Sequence, residues 1–415
     1  MSRILLLTDH ASYRIATYID ACARLDVDVI IASEGRSSLV PGLASGVSLD
    51  PNNYSKSLET LSVLYESEPF SGIVATDDSV VRLAAAVGDR FNLPTSDPVA
   101  VEQAQRKDSS RVAQRDAGLR VPNFQSVRLD KSSEIQVQRL NSVTYPCVAK
   151  PVTLSASRGV IRANNEIELL AAFSRISAII ESAGPEHPPV CLVEDYIEGK
   201  EYVVEGLINR GEWETIGLIE KPALMEGPFF EETIYLSPAE IPDSLAALLT
   251  ETVENACRKL NITHGPIHAE CRVNDDGAWL IELGLRTIGG RCSRIVDAHN
   301  FYKLEELVVL NALGIKPIVK KQDSISGVMM IPVATQGILR RVEGLEKARA
   351  ISFITGVEID IRPGEQLVPW PEGFRYPGFI FARGDEPSKV EGALWSAFRC
   401  LTFVVAPNLP VTVAA

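Results

Sequence analysis

No run in this 415-residue chain reaches the length and apolarity of a membrane-spanning helix. The opening stretch, Met1-Ser-Arg-Ile-Leu-Leu-Leu-Thr-Asp-His, turns polar too soon for a secretory signal and reads as a first strand. Basic residues are outnumbered, 41 against 54 acidic, for a net charge of −13. That balance argues against a nucleic-acid surface, though a local basic pocket for a small anion is compatible with it. C-x-x-C pairs are absent. The seven cysteines are scattered through apolar segments, so reduced core thiols in a cytoplasmic protein are expected rather than disulfides or structural zinc. G-x-G-x-x-G and the G-K-[ST] of a Walker A loop are also missing, which removes the commonest dinucleotide and P-loop readings. Nor does any Ser/His/Asp or Cys/His arrangement offer a side-chain nucleophile.

What is there is organised in three parts. Residues 1–105 alternate strand and helix patterns: strands at Ile4–Thr8, 27–32 and 72–76, helices around Ile15–Ala23 and Leu58–Tyr65. This predicts an open parallel α/β sheet. Thr76-Asp77-Asp78 falls just past a strand's carboxyl end, where such sheets bind ligands, but Asp77 or Asp78 is expected to cap the next helix. From about 106 the pattern changes to a polar helix, Lys107 to a closing Gly118, and then antiparallel strands in an α+β region. Residues 106–315 are read as the central domain; that it is two-lobed, with a lid lobe at about 120–190, is an expectation that comes only from the family resemblance its motifs carry. Residues 316–415 form a C-terminal α+β domain ending in a helix at about 387–400 and a strand at 401–406.

The most informative segment is Gly265-Pro-Ile-His268-Ala-Glu270-Cys-Arg-Val-Asn, then Asp275-Asp276-Gly277, then Ala278-Trp-Leu-Ile-Glu282-Leu-Gly284. Two strands flank a turn ending in Gly, a hairpin signal. Pairing Asn274 with Ala278 sets Cys271 opposite Ile281 and Glu270 opposite Glu282. By alternation, Cys271, Val273, Trp279 and Ile281 share an apolar face, and His268, Glu270, Arg272, Leu280 and Glu282 the other. Two carboxylates ~5 Å apart at an effective dielectric near 20 repel by roughly 3 kcal/mol. A cation belongs between them: Arg272 on the same face, or a divalent ion such as Mg2+, which favours one or two carboxylates plus substrate phosphates.

Upstream, Lys150 ends a strand and precedes Ser155-Ala-Ser157-Arg158-Gly159, small and polar enough to cradle phosphate and equally able to be a plain hairpin turn. Glu194-Asp-Tyr196-Ile197 with Glu201 can offer an extended backbone to adenine and a carboxylate to ribose, or can be a charged turn.

In this order and spacing, residues 1 to about 315 resemble the ATP-grasp superfamily. Gly-Pro-x-His-x-Glu at 265–270 and Glu-x-Gly-x-Arg at 282–286 resemble the bacterial L-amino-acid (dipeptide) ligases within it. Gly327 to Pro332 and Pro371 to Phe381 look like that branch more loosely. The resemblance implies an ATP-dependent carbon–nitrogen ligase that forms an amide through an acyl phosphate and releases ADP and phosphate. Its substrates would be a small carboxylate and an amine, with an amino acid among them, and its assembly a homodimer. It further implies that Lys107 and Lys150 hold the ATP phosphates and that Ser155, Ser157, Arg158 and Gly159 form a phosphate lid. Glu194, Tyr196 and Ile197 would frame adenine and Glu201 would meet ribose. Glu270 and Glu282 would bridge Mg2+, with Mn2+ as the alternative ion, and Arg286 would stabilise the acyl phosphate. Many relatives carry Asn where this chain has Gly284, so one metal ligand is missing or water replaces it. His268 is either a hydrogen-bonding partner or a substrate contact. Lys221 to Glu232 is read as a loop over the acceptor pocket. Arg291 and Arg294 are offered to an acceptor carboxylate, or to surface ion pairs. Two other readings stay open: another ATP-grasp reaction (carboxylation, or a purine-pathway amide), and a nucleotide-binding scaffold without turnover.

Overall fold

A computed structural model describes residues 2–9, 12–34, 46–50, 53–129, 140, 143–297, 301–319 and 324–407. The expected boundary segment 315–324 lies in part outside them. The amino-terminal sheet is parallel, in the order β3-β2-β1-β4: β1 (Arg3–Asp9), β2 (Asp28–Glu34), β3 (Gly46–Leu49) and β4 (Gly72–Ala75). Ile4 to Leu7 are fully buried because helices cover the sheet, as the continuous apolar run predicts. β3 is an addition to the strands expected from sequence.

A second, antiparallel sheet forms the small lobe, in the order β5-β8-β6-β7: β5 (Phe124–Arg128), β6 (Cys147–Pro151), β7 (Ile161–Ala163) and β8 (Val190–Asp195). The helix Glu166–Ala183 packs Leu169, Phe173, Ile176 and Ile180 against it, a 3- to 4-residue spacing that places one apolar stripe on the sheet. Asn165 caps this helix through the Glu168 amide.

The largest sheet has eight strands, all antiparallel, in the order β13-β12-β9-β10-β11-β14-β18-β16. They are β9 (Lys200–Asn209), β10 (Glu212–Glu220), β11 (Ile234–Ser237), β12 (Gly265–Asn274), β13 (Gly277–Gly284), β14 (Ile325–Met330), β16 (Ile354–Ile359) and β18 (Gly378–Gly384). Arg210 and Gly211, both at positive φ, make the two-residue turn between β9 and β10. Because β14 pairs with β11, hydrogen bonding runs without a break from the central region into the C-terminal one. A small third sheet, β17-β15-β19, completes that region: β15 (Gly337–Glu343), β17 (Gln366–Leu367) and β19 (Thr402–Ala406). The polar helix begins at Lys107 and closes at Gly118 (φ +69°), as expected. Among the described residues no helix is long and apolar enough to cross a membrane, and the seven cysteines are free thiols.

Candidate active site

The hairpin β12–β13 delivers Glu270 opposite Glu282, but by a different route from the one alternation predicts. The turn contains two residues, Asp275 and Asp276, so Asn274 pairs with Gly277 and Cys271 with Leu280. A bulge at Ile281, between the Cys271 and Glu270 pairs, then restores the carboxylate pairing. The extra residue changes the faces. Leu280 turns into the core beside Ala269, Cys271 and Leu283, whereas Ile281 lines the cleft and Trp279 lies under the Arg120 guanidinium.

Cross-strand pairing with β9 explains the rest of the acidic face. Arg272 sits opposite Glu201, Glu270 opposite Val203, and His268 opposite Glu205. Two of these three pairs join opposite charges directly. Arg272 Nε donates to Glu201 at 2.8 Å, and its terminal nitrogens donate to the Ile197 and Met225 carbonyls. Arg272 therefore is not the cation between the two carboxylates. Lys221 and Lys107 take that place. Lys221, just past β10, donates to Glu201 (2.5 Å), Glu232 (2.8 Å) and Glu270 (3.1 Å). Lys107 lies 3.4 Å from Glu282 and donates to the Leu154 carbonyl at 2.8 Å. His268 Nδ1 bonds Glu205, and its Nε2 lies 3.7 Å from Glu270.

These contacts set the protonation states. Burial disfavours the charged forms, but Lys221 and His268 outweigh it and hold the Glu270 carboxyl well below its ordinary range. Burial likewise lowers His268, yet Glu205 and Glu270 push its imidazole up to about 9. Lys221 is raised well above the ordinary lysine value by its three carboxylates, against burial.

Across the cleft, Lys150 on β6 and Glu194 on β8 occupy diagonal positions on one sheet face and form a buried ion pair. Arg111 joins Glu194 from the polar helix, Nε to Oε2 at 2.9 Å. Burial would raise Glu194, but the two cations hold it near 2. Burial outweighs Glu194 at Lys150 and lowers that ammonium, with Arg111 and Lys107 adding to the effect. Gly199 (φ +119°) lets the segment after Glu194 lie against β12; a Cβ there would come within 2.1 Å of the Val273 carbonyl oxygen. The guanidiniums of Arg162 (4.3 Å) and Arg272 (5.1 Å) lie over the Tyr196 ring, whose hydroxyl donates to the Met225 carbonyl.

The result is one cleft between the lobes, lined by residues of both. Val148, Leu154, Val160, Met225, Phe230 and Ile281 give it apolar walls. Lys107, Lys150, Ser155, Ser157, Glu194, Tyr196, Ile197, Glu201, Glu270 and Glu282 all line it, so ten of the fourteen residues singled out from sequence converge here. Arg158 and Gly159 lie in the same loop but engage the C-terminal region, by Arg158 Nε to the Glu372 carbonyl (3.2 Å) and Gly159 N to the Pro371 carbonyl (2.8 Å). His268 stands behind Glu270.

Arg286 leaves the hairpin and donates from Nε to Asp78 at 2.9 Å. That pairing replaces the expected cap: neither Asp77 nor Asp78 caps the turn at Asp78–Val80, and Asp77 accepts from the Thr76 hydroxyl instead. Buried Arg14 braces the same region, donating to the Thr76 and Ile288 carbonyls. Arg291 and Arg294 pair with Glu358, and Arg291 also with Asp360, on and beside β16, which favours the ion-pair reading over an acceptor site. Sequence reasoning passed over Lys221 as a charge, took in Met225 and Glu232 only as part of the 221–232 loop, and missed the roles of Glu205 and Arg111. Glu205 did leave a signal: with Glu201 it falls on one face of an otherwise apolar strand.

The donor set can be tested for a divalent ion. Among the described residues no three His, Cys, Asp or Glu side chains form a metal cage. Two opposed carboxylates without a third fit an ion that takes its remaining ligands from phosphate and water. At Gly284 an added Cβ would meet nothing nearer than the His268 carbonyl oxygen at 3.4 Å, so neither packing nor backbone demands glycine there.

Residues 143–295 match the ATP-grasp domain family, and residues 329–406 match the L-amino acid ligase C-terminal domain 2. Dapdiamide A synthase from Enterobacter agglomerans is 25% identical over 80% of this chain and 79% of its own. The crystal structure of an L-amino acid ligase from Bacillus licheniformis superposes with a TM-score of 0.83 at 22% identity, covering 98% of this chain and 99% of that one. A phosphoribosylglycinamide synthetase from Anaerococcus prevotii gives a TM-score of 0.68 at 15% identity, covering 98% and 100%. The chain therefore carries an ATP-grasp domain followed by an L-amino acid ligase C-terminal domain, and over most of its length it is similar to ATP-dependent ligases.

Proposed function

We propose that this protein joins a carboxylate to the amine of an amino acid through an acyl phosphate, converting ATP to ADP and phosphate. The observation that carries the reading is the pairing of Glu270 with Glu282 at one end of a cleft whose other residues suit a nucleotide. Phe230, Met225 and Tyr196 supply apolar and aromatic surface for adenine, with Glu194 and Ile197 at its edge and Glu201 toward the ribose. Lys107 and Lys150 neutralise phosphate oxygens, and Ser155, Ser157, Arg158 and Gly159 form the loop above them. Glu270 and Glu282 would hold Mg2+, or Mn2+ in its place, which neutralises charge on the transferring phosphoryl group. His268, bonded to Glu205, keeps Glu270 ionised and aimed.

The donor carboxylate attacks the γ-phosphorus and ADP leaves. The amine nitrogen then adds to the acyl carbonyl, forming the C–N bond, and the tetrahedral intermediate breaks its C–O bond to expel phosphate, which carries away the proton the amine loses. Arg286, bonded to Asp78, is the residue this reading assigns to the acyl oxygens as they gather charge. No protein nucleophile is needed; positioning and charge neutralisation supply the catalysis. A dapdiamide synthase and an L-amino acid ligase among the similar proteins support an amino-acid substrate over a purine-pathway one.

The test is ADP release across a panel of amino-acid pairs. One pair at least should yield ADP and a new amide in equal amounts. Arg286→Ala should slow that rate by roughly 10²-fold with ATP affinity nearly unchanged. A panel giving neither ADP nor amide refutes the proposal.

A further inference from the structure

The loop Ser155–Gly159 has two turn hydrogen bonds of its own, Arg158 N to the Ser155 carbonyl and Val160 N to the Ser157 carbonyl, each 3.2 Å, and a backbone that needs further support. Ala156 (φ +55°), Ser157 (φ +53°) and Gly159 (φ +75°) lie in the left-handed region, two of them without glycine's freedom. Such backbone persists only where the surroundings over-determine it. Here the surroundings come from residues 370–374 of the C-terminal domain, more than two hundred positions downstream. Trp370 Nε1 donates to the Ala156 carbonyl at 2.9 Å. The Pro371 carbonyl accepts from Gly159 N at 2.8 Å, and the Glu372 carbonyl from Arg158 Nε at 3.2 Å. Arg158 stacks over Phe374 at 4.8 Å. The Glu372 carboxylate takes both arms of Arg175, on the helix of the small lobe, one of them at 2.7 Å. Trp370 is itself immobilised: 4% exposed, stacked on Tyr376 at 4.7 Å, and packed with Leu339, Ile361 and Leu367.

We propose that residues 370–374 are a latch that fixes the phosphate loop in its closed form, and that Trp370 and Glu372 are positioning residues for phosphoryl transfer. The inference rests on the assignment of this loop to the ATP phosphates. The latch takes one loop carbonyl, that of Ala156, and one loop N–H, that of Gly159, and so fixes the backbone on both sides of Ser157. The latch also spans two lobes: Glu372 grips the small lobe through Arg175, and the strand order roots its domain in the large sheet. Opening the small lobe therefore requires breaking these contacts. While they hold, water is kept from an acyl phosphate awaiting its amine.

The test uses the full chain with Trp370→Phe, which keeps the ring and removes the donor, and Glu372→Gln, which removes the charge. Calorimetry reads MgATP affinity. Hydrogen exchange with and without MgATP reads loop protection at 155–159, with β9 and β12 as internal references. Both variants should bind MgATP roughly three- to tenfold more weakly, as expected for one lost hydrogen bond or exposed ion pair. Loop protection should fall while β9 and β12 keep theirs. With an amino-acid pair that turns over, ADP should exceed amide. Arg175→Glu and Glu372→Arg should each show the defect, and the double exchange should reverse it. Unchanged MgATP affinity and loop protection in both variants would overturn the latch, as would lost thermal stability with the ADP-to-amide ratio still at one. If MgATP fails to protect the loop in the unaltered chain, the nucleotide assignment falls first and the latch with it.

Discussion

Lys221→Met removes the ammonium shared by Glu201, Glu232 and Glu270 at 2.5, 2.8 and 3.1 Å. At an effective dielectric near 20, each attraction is about 5–7 kcal/mol. Most of that offsets the desolvation of a side chain left only 3% exposed, and removing one partner of a buried pair costs about 3–5 kcal/mol net. Arg272 still holds Glu201 and His268 still faces Glu270, but Glu232 keeps only hydrogen bonding of the Tyr235 kind. The pH dependence follows from the signs. In the unaltered protein the depressed Glu270 pKa contributes stability above its unfolded value, lost as pH falls through the folded one. Burial already raises Glu232, and without Lys221 it rises further, so the folded variant binds more protons than the unfolded chain and gains stability on acidification. The two proteins should differ by about 3–5 kcal/mol at pH 8 and converge toward pH 5. Denaturant unfolding followed by circular dichroism at pH 8, 6.5 and 5 measures this. A deficit under about 1 kcal/mol at pH 8, or one that widens on acidification, refutes the electrostatic account.

Glu282→Gln should lose nearly all turnover with little change in stability, since this carboxylate is 41% exposed and already faced by Lys107; a variant with normal kcat would remove Glu282 from the metal site. Lys150→Met should weaken ATP more than either other substrate, and calorimetry showing unchanged ATP affinity would exclude Lys150 from phosphate binding. The raised His268 pKa, about 9 against 6.5 unfolded, contributes stability that is complete below about pH 6.5 and lost as pH rises through about 9. His268→Gln should flatten that decline in a melting-temperature profile from pH 6 to 10, and an unchanged profile would remove His268 as its source.

Local pattern and charge made much of this protein legible without coordinates. Ile4 to Leu7 announced a buried parallel strand by apolar continuity alone. The helix starting at Lys107 followed from a change of composition, and the last helix spans Pro387–Cys400 where the pattern put it. The carboxylate pair was readable because a hairpin is a local structure whose partners are a few residues apart. Its inner register was not: the bulge at Ile281 is a compromise between turn length and the core that Leu280 and Leu283 enter, and only tertiary packing fixes it. The counter-charges were likewise hidden. Lys221 reaches Glu270 because β9 lies between β10 and β12, and Arg111 reaches Glu194 because a helix crosses from one sheet to another. Asp78 finds Arg286 across 208 residues, and Trp370 finds Ala156 across 214. Strand alternation states which side chains share a face; it carries no information about which distant strand or loop is brought opposite. That choice belongs to the global burial of apolar surface, so sequence determined the chemistry at each position and the tertiary structure decided which charges meet.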